Sequence, residues 1–288
     1  LIIDGTSAPG YVIPSTLPGT DTGSFDLNNF VIANTTVANR LLNVPDLTPG
    51  STTYPTGPTV KISASTYIAT AMFNVTVGGS IIKGLEIENF GNSAIYLNPG
   101  TSGATSILVQ DNYIHNRHSD GSGAEYGIQI VTNNGTTGHI IKNNIIVGGD
   151  VGIYNSASGA QRISFNTLIT EGISGYNGIN SQGSSFMYFN TIVGNSTSNA
   201  GIFIGTNVQE IFGNVIHDFT AGKGIQIDNA SNVTAYHNTI YNVTKGIELT
   251  AGVSNNFSQN SIYFTSGIAI DLGGNGVTAN DLNDPDGG

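Results

Sequence analysis

The chain has 288 residues, only 9% of them charged, and its eight Lys and Arg face nineteen Asp and Glu for a net charge of −11. Eight dispersed cations cannot build the basic face that nucleic acid requires, and a negative surface is not drawn to anionic lipid. There is no Cys, which excludes disulfides, thiolate zinc sites and a Cys nucleophile, and no apolar run long enough to insert into a membrane.

In chain order, Leu1-Ile2-Ile3-Asp4 reads as the middle of a strand. With no initiator Met and no signal peptide, the chain reads as a piece of a longer protein. Residues 1–60 form an irregular N-terminal cap or partial coils: seven of the nine prolines, Pro9, Pro14, Pro18, Pro45, Pro49, Pro55 and Pro58, interrupt regular winding there. Within it, Asn28–Ile32 and Leu41-Leu42 read as partial strands. Residues 61–270 are regular and repetitive, and 271–288 form an acidic tail, all within one domain.

Two columns recur in the regular part. The first is an Asn followed two residues later by an aliphatic: Asn112/Ile114, Asn144/Ile146, Asn166/Leu168, Asn190/Ile192, Asn214/Ile216, Asn238/Ile240 and Asn260/Ile262. The second is Gly-Ile, beginning at Gly127, Gly152, Gly178, Gly201, Gly224, Gly246 and Gly267. An earlier degenerate copy places Leu85 in the Asn slot and Ala94-Ile95 in the Gly-Ile slot. A spacing of 21–26 residues is too short for a helical hairpin and too long for one strand. Each unit holds about three short β-rich bursts separated by Gly, Asn, Ser and Thr, with no helical period. A leucine-rich repeat would show several fixed leucines per unit, and none appear. The remaining solution is an all-β parallel β-helix, a solenoid of about eight coils stacked at the inter-strand spacing. Asn112, Asn144, Asn166, Asn190, Asn214, Asn238 and Asn260 then form an internal ladder, each at a corner that needs a left-handed or bridge residue and each bonding its amide from coil to coil. The aliphatics two residues on, and the Ile after each Gly, form inward stacks.

The repeats resemble those of the right-handed, single-stranded parallel β-helix superfamily of pectate-lyase type. The opening Ile3-Asp4-Gly5-Thr6-Ser7-Ala8-Pro9-Gly10-Tyr11 is similar to the start of many bacterial surface β-helix modules, and Ile270–Thr278 through Gly287 to their end. The resemblance implies a module of a secreted or cell-surface protein. It also implies a superfamily that holds polysaccharide lyases, glycoside hydrolases and epimerases, so it leaves activity open.

Several groups of residues are candidates for a site. The outward row after each Gly-Ile reads Gln129, Tyr154, Asn180, Phe203, Gln226, Glu248 and Ala269, with one carboxylate where glycosidic hydrolysis needs two. Two residues before the ladder Asn stand Tyr188, Phe212 and Tyr236. If they point outward they form an aromatic strip that suits sugar rings or a protein surface; if the alternation slips they are core, and Phe165 and Phe189 lie outside instead. An insertion carries His115, Arg117, His118, Asp120 and Glu125, which read first as a polar loop on the barrel side and only secondarily as weak candidates for a lyase or epimerase base and acid. Lys142 and Arg162, near successive Asn positions, read as ordinary surface charges before they read as a weak anion site. His217 and His237 fall in different columns and do not form a metal pair. The tail residues Asp281, Asn283, Asp284 and Asp286 alternate oxygen ligands in the manner of a Ca²⁺ loop, the one cofactor the sequence suggests, although the bidentate Glu of an EF-hand is missing.

The leading expectation is a non-catalytic extracellular structural or adhesive module. Its partners would be copies of itself, neighbouring modules of a longer chain or polysaccharide, with no nucleic acid and no membrane insertion. The alternatives are a polysaccharide lyase or epimerase, or a carbohydrate-binding module.

Overall fold

A computed structural model of the protein describes residues 2–4, 60–64, 70–99, 106–115, 125–131, 138–171, 175–205, 209–274 and 276. These residues form 27 strands and no helix, in three parallel sheets of nine strands each. Sheet A runs from Ile2–Asp4 to Asn256–Ser258, sheet B from Val60–Ser63 to Ser261–Thr265, and sheet C from Ala71–Val75 to Ile270–Leu272. From Ile81 to Leu272 the chain makes eight consecutive A–B–C coils, so the architecture is a parallel β-solenoid.

Each sheet contributes one aliphatic file to the interior. In sheet B it reads Ile114, Ile146, Leu168, Ile192, Ile216 and Ile240; in sheet C, Ile128, Ile153, Ile179, Ile202, Ile225 and Ile247. All of these side chains are buried. Burying an Ile contributes roughly 2–3 kcal/mol, so the stacked aliphatics are the main attraction between coils.

The Asn ladder is continuous. The Nδ2 of Asn166 donates to Oδ1 of Asn190 at 3.0 Å, and the backbone N–H of Asn166 donates to the same oxygen at 3.0 Å. The other Nδ2 hydrogen reaches back one coil, to the carbonyl of Ile141 at 3.0 Å. The pattern repeats from Asn112 to Asn260, and Leu85, in the first slot, donates its N–H to Asn112 Oδ1. The ladder amides are thereby bonded from coil to coil, and a slip of one residue between coils would break these bonds.

Two details differ from the sequence expectation. The left-handed residue at each A-to-B corner is the one before the Asn: Asp111, Asn143, Phe165, Phe189, Gly213, His237 and Gln259 all have φ between 53° and 65°. The Asn itself is spared that conformation because its role is side-chain bonding along the stack. The last Gly-Ile copy is also misplaced. Ile247 pairs with Ile270, and Glu248 with Asp271. Ala269-Ile270, not Gly267-Ile268, is therefore the final copy, and Asp271 rather than Ala269 ends the outward row. Register is set by the packed strand, and a nearby Gly-Ile pair in a turn imitates it.

A second buried polar file lines the start of the sheet A strands. His139, Gln161, Ser185 and Gln209 occupy successive coils. The His139 N–H donates to Gln161 Oε1 at 2.7 Å, and the Ile107 N–H to His139 Nδ1 at 3.1 Å. Its residues vary from coil to coil, so no column in the sequence announces it. At the far end of the solenoid Lys245 bonds both Glu248 and Asp271, the latter at 2.6 Å.

Candidate functional site

The outer face of sheet A carries a concavity. Along it, side chains in register form two outward files. One reads Arg162, Phe186, Glu210, Thr234 and Asn256, and the other Ser164, Tyr188, Phe212, Tyr236 and Ser258. A groove of about 430 Å³ lies between them, lined by Phe186, Glu210, Asn232, Thr234, Tyr236 and Asn256 among others.

Tyr188, Phe212 and Tyr236 thus point away from the solenoid interior, yet they do not make an open strip. Phe165 and Phe189 also lie outside, because a left-handed corner residue turns its side chain away from the coil. The two sets cover each other. Phe165, Tyr188, Phe189 and Phe212 form a separate buried cluster against which Phe186 and Tyr236 pack. Phe165 stacks on Phe189 at 5.2 Å, Phe189 meets Phe212 edge-on at 5.0 Å, and Phe212 tilts against Tyr236 at 4.6 Å. Such pairs contribute about 0.5–1.5 kcal/mol each beyond area burial, which offsets the roughly 1–2 kcal/mol of a left-handed Phe. Gly213 makes room for this cluster: a Cβ there would lie 2.5 Å from the Phe189 ring.

Glu210 is a candidate residue that the sequence did not single out. The Tyr188 hydroxyl donates to its Oε2 at 3.0 Å and the Tyr236 hydroxyl to its Oε1 at 2.5 Å. One carboxylate is thus clamped between two phenols from neighbouring coils, and each oxygen keeps a further lone pair. Burial pushes both phenols well above the usual tyrosine range, and the Glu210 charge pushes them further. They remain hydroxyl donors at any ordinary pH. Glu210 escaped notice because strand alternation alone did not show that two tyrosines 22 and 26 residues away converge on it.

The insertion candidates separate. His115 sits on the sheet B strand Tyr113–His115, largely buried, with Nε2 3.0 Å from Glu86 Oε1 and 3.9 Å from Glu88 Oε2. Glu125 is buried near sheet C, and its backbone N–H donates to Asp150 Oδ2 at 3.0 Å. Arg117, His118 and Asp120 lie outside the described residues, as do Asp281, Asn283, Asp284 and Asp286. His217 stacks on Tyr241 at 4.8 Å while His237 turns a corner beside Phe212.

Acid, base and cation come within reach of one another at Lys61, Glu86, Glu88 and His115, and acids and cations do so at Lys223, Lys245, Glu248 and Asp271. In both clusters an ammonium already bridges the carboxylates, and neither cluster lines the groove on sheet A. Among the described residues that groove offers the Glu210 carboxylate, the Phe186 and Tyr236 rings and the side-chain amides of Gln209, Asn232 and Asn256, the equipment of a polar binding cleft.

No family model matches the chain, and no curated protein or solved structure matches it.

Proposed function

We propose that this protein is a non-catalytic extracellular β-solenoid module that binds carbohydrate in the groove on sheet A and holds it on a rigid rod. The observation that carries this reading is the Tyr188–Glu210–Tyr236 clamp beside Phe186. A sugar presents an apolar ring face and a rim of hydroxyls. Aromatic carbons suit the first, and a fixed carboxylate with neighbouring amides suits the second. Hydrolysis by the usual route requires a second carboxylate opposite the first, and among the described residues the groove lining has only Glu210. Nine stacked strands give a rod of roughly 38 Å along the axis at ~4.8 Å per step. Ile270 and Leu272, paired with Ile247 and Leu249 but exposed on the final coil, support stacking of a further coil or a second copy at that end.

Calorimetry with neutral and acidic oligosaccharides tests the reading. Tyr236→Ala and Glu210→Ala should each weaken binding at least about tenfold while the far-ultraviolet circular dichroism stays that of the parent. Saccharide binding that is unaffected by both substitutions, or the release of shortened or unsaturated products, would overturn it.

A further inference from the structure

Sheet B carries a second, chemically different cluster. Glu86 and Glu88 alternate along the strand Leu85–Glu88 and share its outer face. His115 pairs with Glu88 from the next coil, and Lys61 pairs with Glu86 from the previous one. One nitrogen and two carboxylate oxygens, from Glu86, Glu88 and His115, all lie within 4.8 Å of one another. We propose that these three residues bind a divalent transition metal of the Zn²⁺ class, in competition with the ammonium of Lys61.

Three observations support this. The donor set is right: one imidazole nitrogen with two carboxylates suits Zn²⁺ and its first-row neighbours, whereas all-oxygen sets suit Ca²⁺ and Mg²⁺. The histidine is pre-oriented. Its ring is largely buried and stacks on Tyr113 at 4.1 Å with planes 17° apart, so Nε2 is held towards the carboxylates without a further ordering cost. The position of the cation is also already in use. Lys61 Nζ lies 3.1 Å from Glu86 and 2.7 Å from Glu88, which marks where positive charge is most favourable. One ammonium leaves two carboxylates half neutralised, and a divalent ion completes the balance. The Lys61 side chain is about half exposed, at 48%, so its ammonium can swing into water and yield its place to the ion. Three protein ligands leave one tetrahedral position for water.

The site is on a different sheet from the groove and does not depend on carbohydrate binding. The test is calorimetric titration of the whole protein with ZnCl₂, repeated with CoCl₂ while the visible absorption of four-coordinate Co²⁺ is followed. The expected result is one ion per chain in the parent. His115→Ala should weaken binding by about 100-fold, and Lys61→Ala should strengthen it by about tenfold because the competitor is gone. Tyr236→Ala should bind the metal as the parent does. Absence of binding by both the parent and Lys61→Ala at millimolar Zn²⁺ would overturn the proposal. So would full affinity in a His115→Ala protein with unchanged circular dichroism, or weaker binding in Lys61→Ala.

Discussion

A Cβ added to Gly178 would lie 2.3 Å from Cγ2 of Ile192, the inward isoleucine of the facing sheet B strand. The same relation joins Gly201 to Ile216 and Gly224 to Ile240. The Gly column and the Asn-x-aliphatic column therefore keep step because one makes room for the other. Gly178→Ala should cost about 1–3 kcal/mol through overpacking, and Ile192→Ala about 2–5 kcal/mol through a cavity. The double variant should be less destabilised than the sum, by about 1 kcal/mol or less, since the carbonyl of Gly201 also stands 2.7 Å from the added Cβ. Denaturant melts of the four proteins measure this, and strict additivity would show that the two columns do not bear on each other.

Asn190→Leu should be far more damaging than its near-equal size suggests. It removes the acceptor of two bonds from Asn166 and the donor to the Ile163 carbonyl at 2.9 Å. Orphaned buried groups cost about 1–3 kcal/mol each, so the middle of the solenoid should lose several kcal/mol. Leu85 is tolerated in the equivalent slot because it begins the ladder and no earlier Asn leans on it. A thermal midpoint within two or three degrees of the parent, about 1 kcal/mol for a chain of this size, would contradict this account.

Alkaline pH probes the clamp on Glu210. Burial, then the Glu210 carboxylate, raises the Tyr188 and Tyr236 phenols above their unfolded value. A raised folded value means the stabilisation is complete below the unfolded value near 10 and is lost as pH climbs through the folded one. Tyrosinate absorbance should therefore show Tyr188 and Tyr236 among the last phenols to ionise, together with loss of structure. Glu210→Gln should let both ionise at lower pH. Early, reversible titration of these two in the parent would disprove the geometry.

Acid should loosen the last coil first. The Lys245 ammonium holds Asp271 below the usual carboxylate range against the opposing pull of burial, and the Gly276 N–H adds to it at 3.2 Å. A depressed value gives stability that is present above the unfolded value near 4 and disappears as pH falls through the folded one. Amide exchange at Ile247 and Gly273 should quicken on acidification before that of Ile153 or Ile179 in the middle. Asp271→Asn should show the same fraying at neutral pH, and uniform exchange along the solenoid would argue against it.

The resemblance to pectate-lyase-type modules contributed the termini and an expected handedness, while the coil count and the ladder follow from the repeat itself. Legibility failed where a column changes its residue. His139, Gln161, Ser185 and Gln209 do one job with three residue types, so nothing recurs for the eye to follow. It failed also at Glu86, Glu88 and His115, where the spacing from Glu88 to His115 exceeds the regular repeat and hides a direct pairing.

What the linear chain determined was whatever every coil must solve in the same way: an interior amide at the corner, an aliphatic behind it, and a residue without a side chain opposite that aliphatic. Identical constraints leave identical residues, and their spacing gives the solenoid. Only the three-dimensional arrangement decided which way Phe165, Phe189, Tyr188 and Tyr236 face, and that two of them meet at Glu210. A single left-handed corner residue reverses the direction of its side chain, and that backbone angle leaves no mark on the pattern of polar and apolar residues.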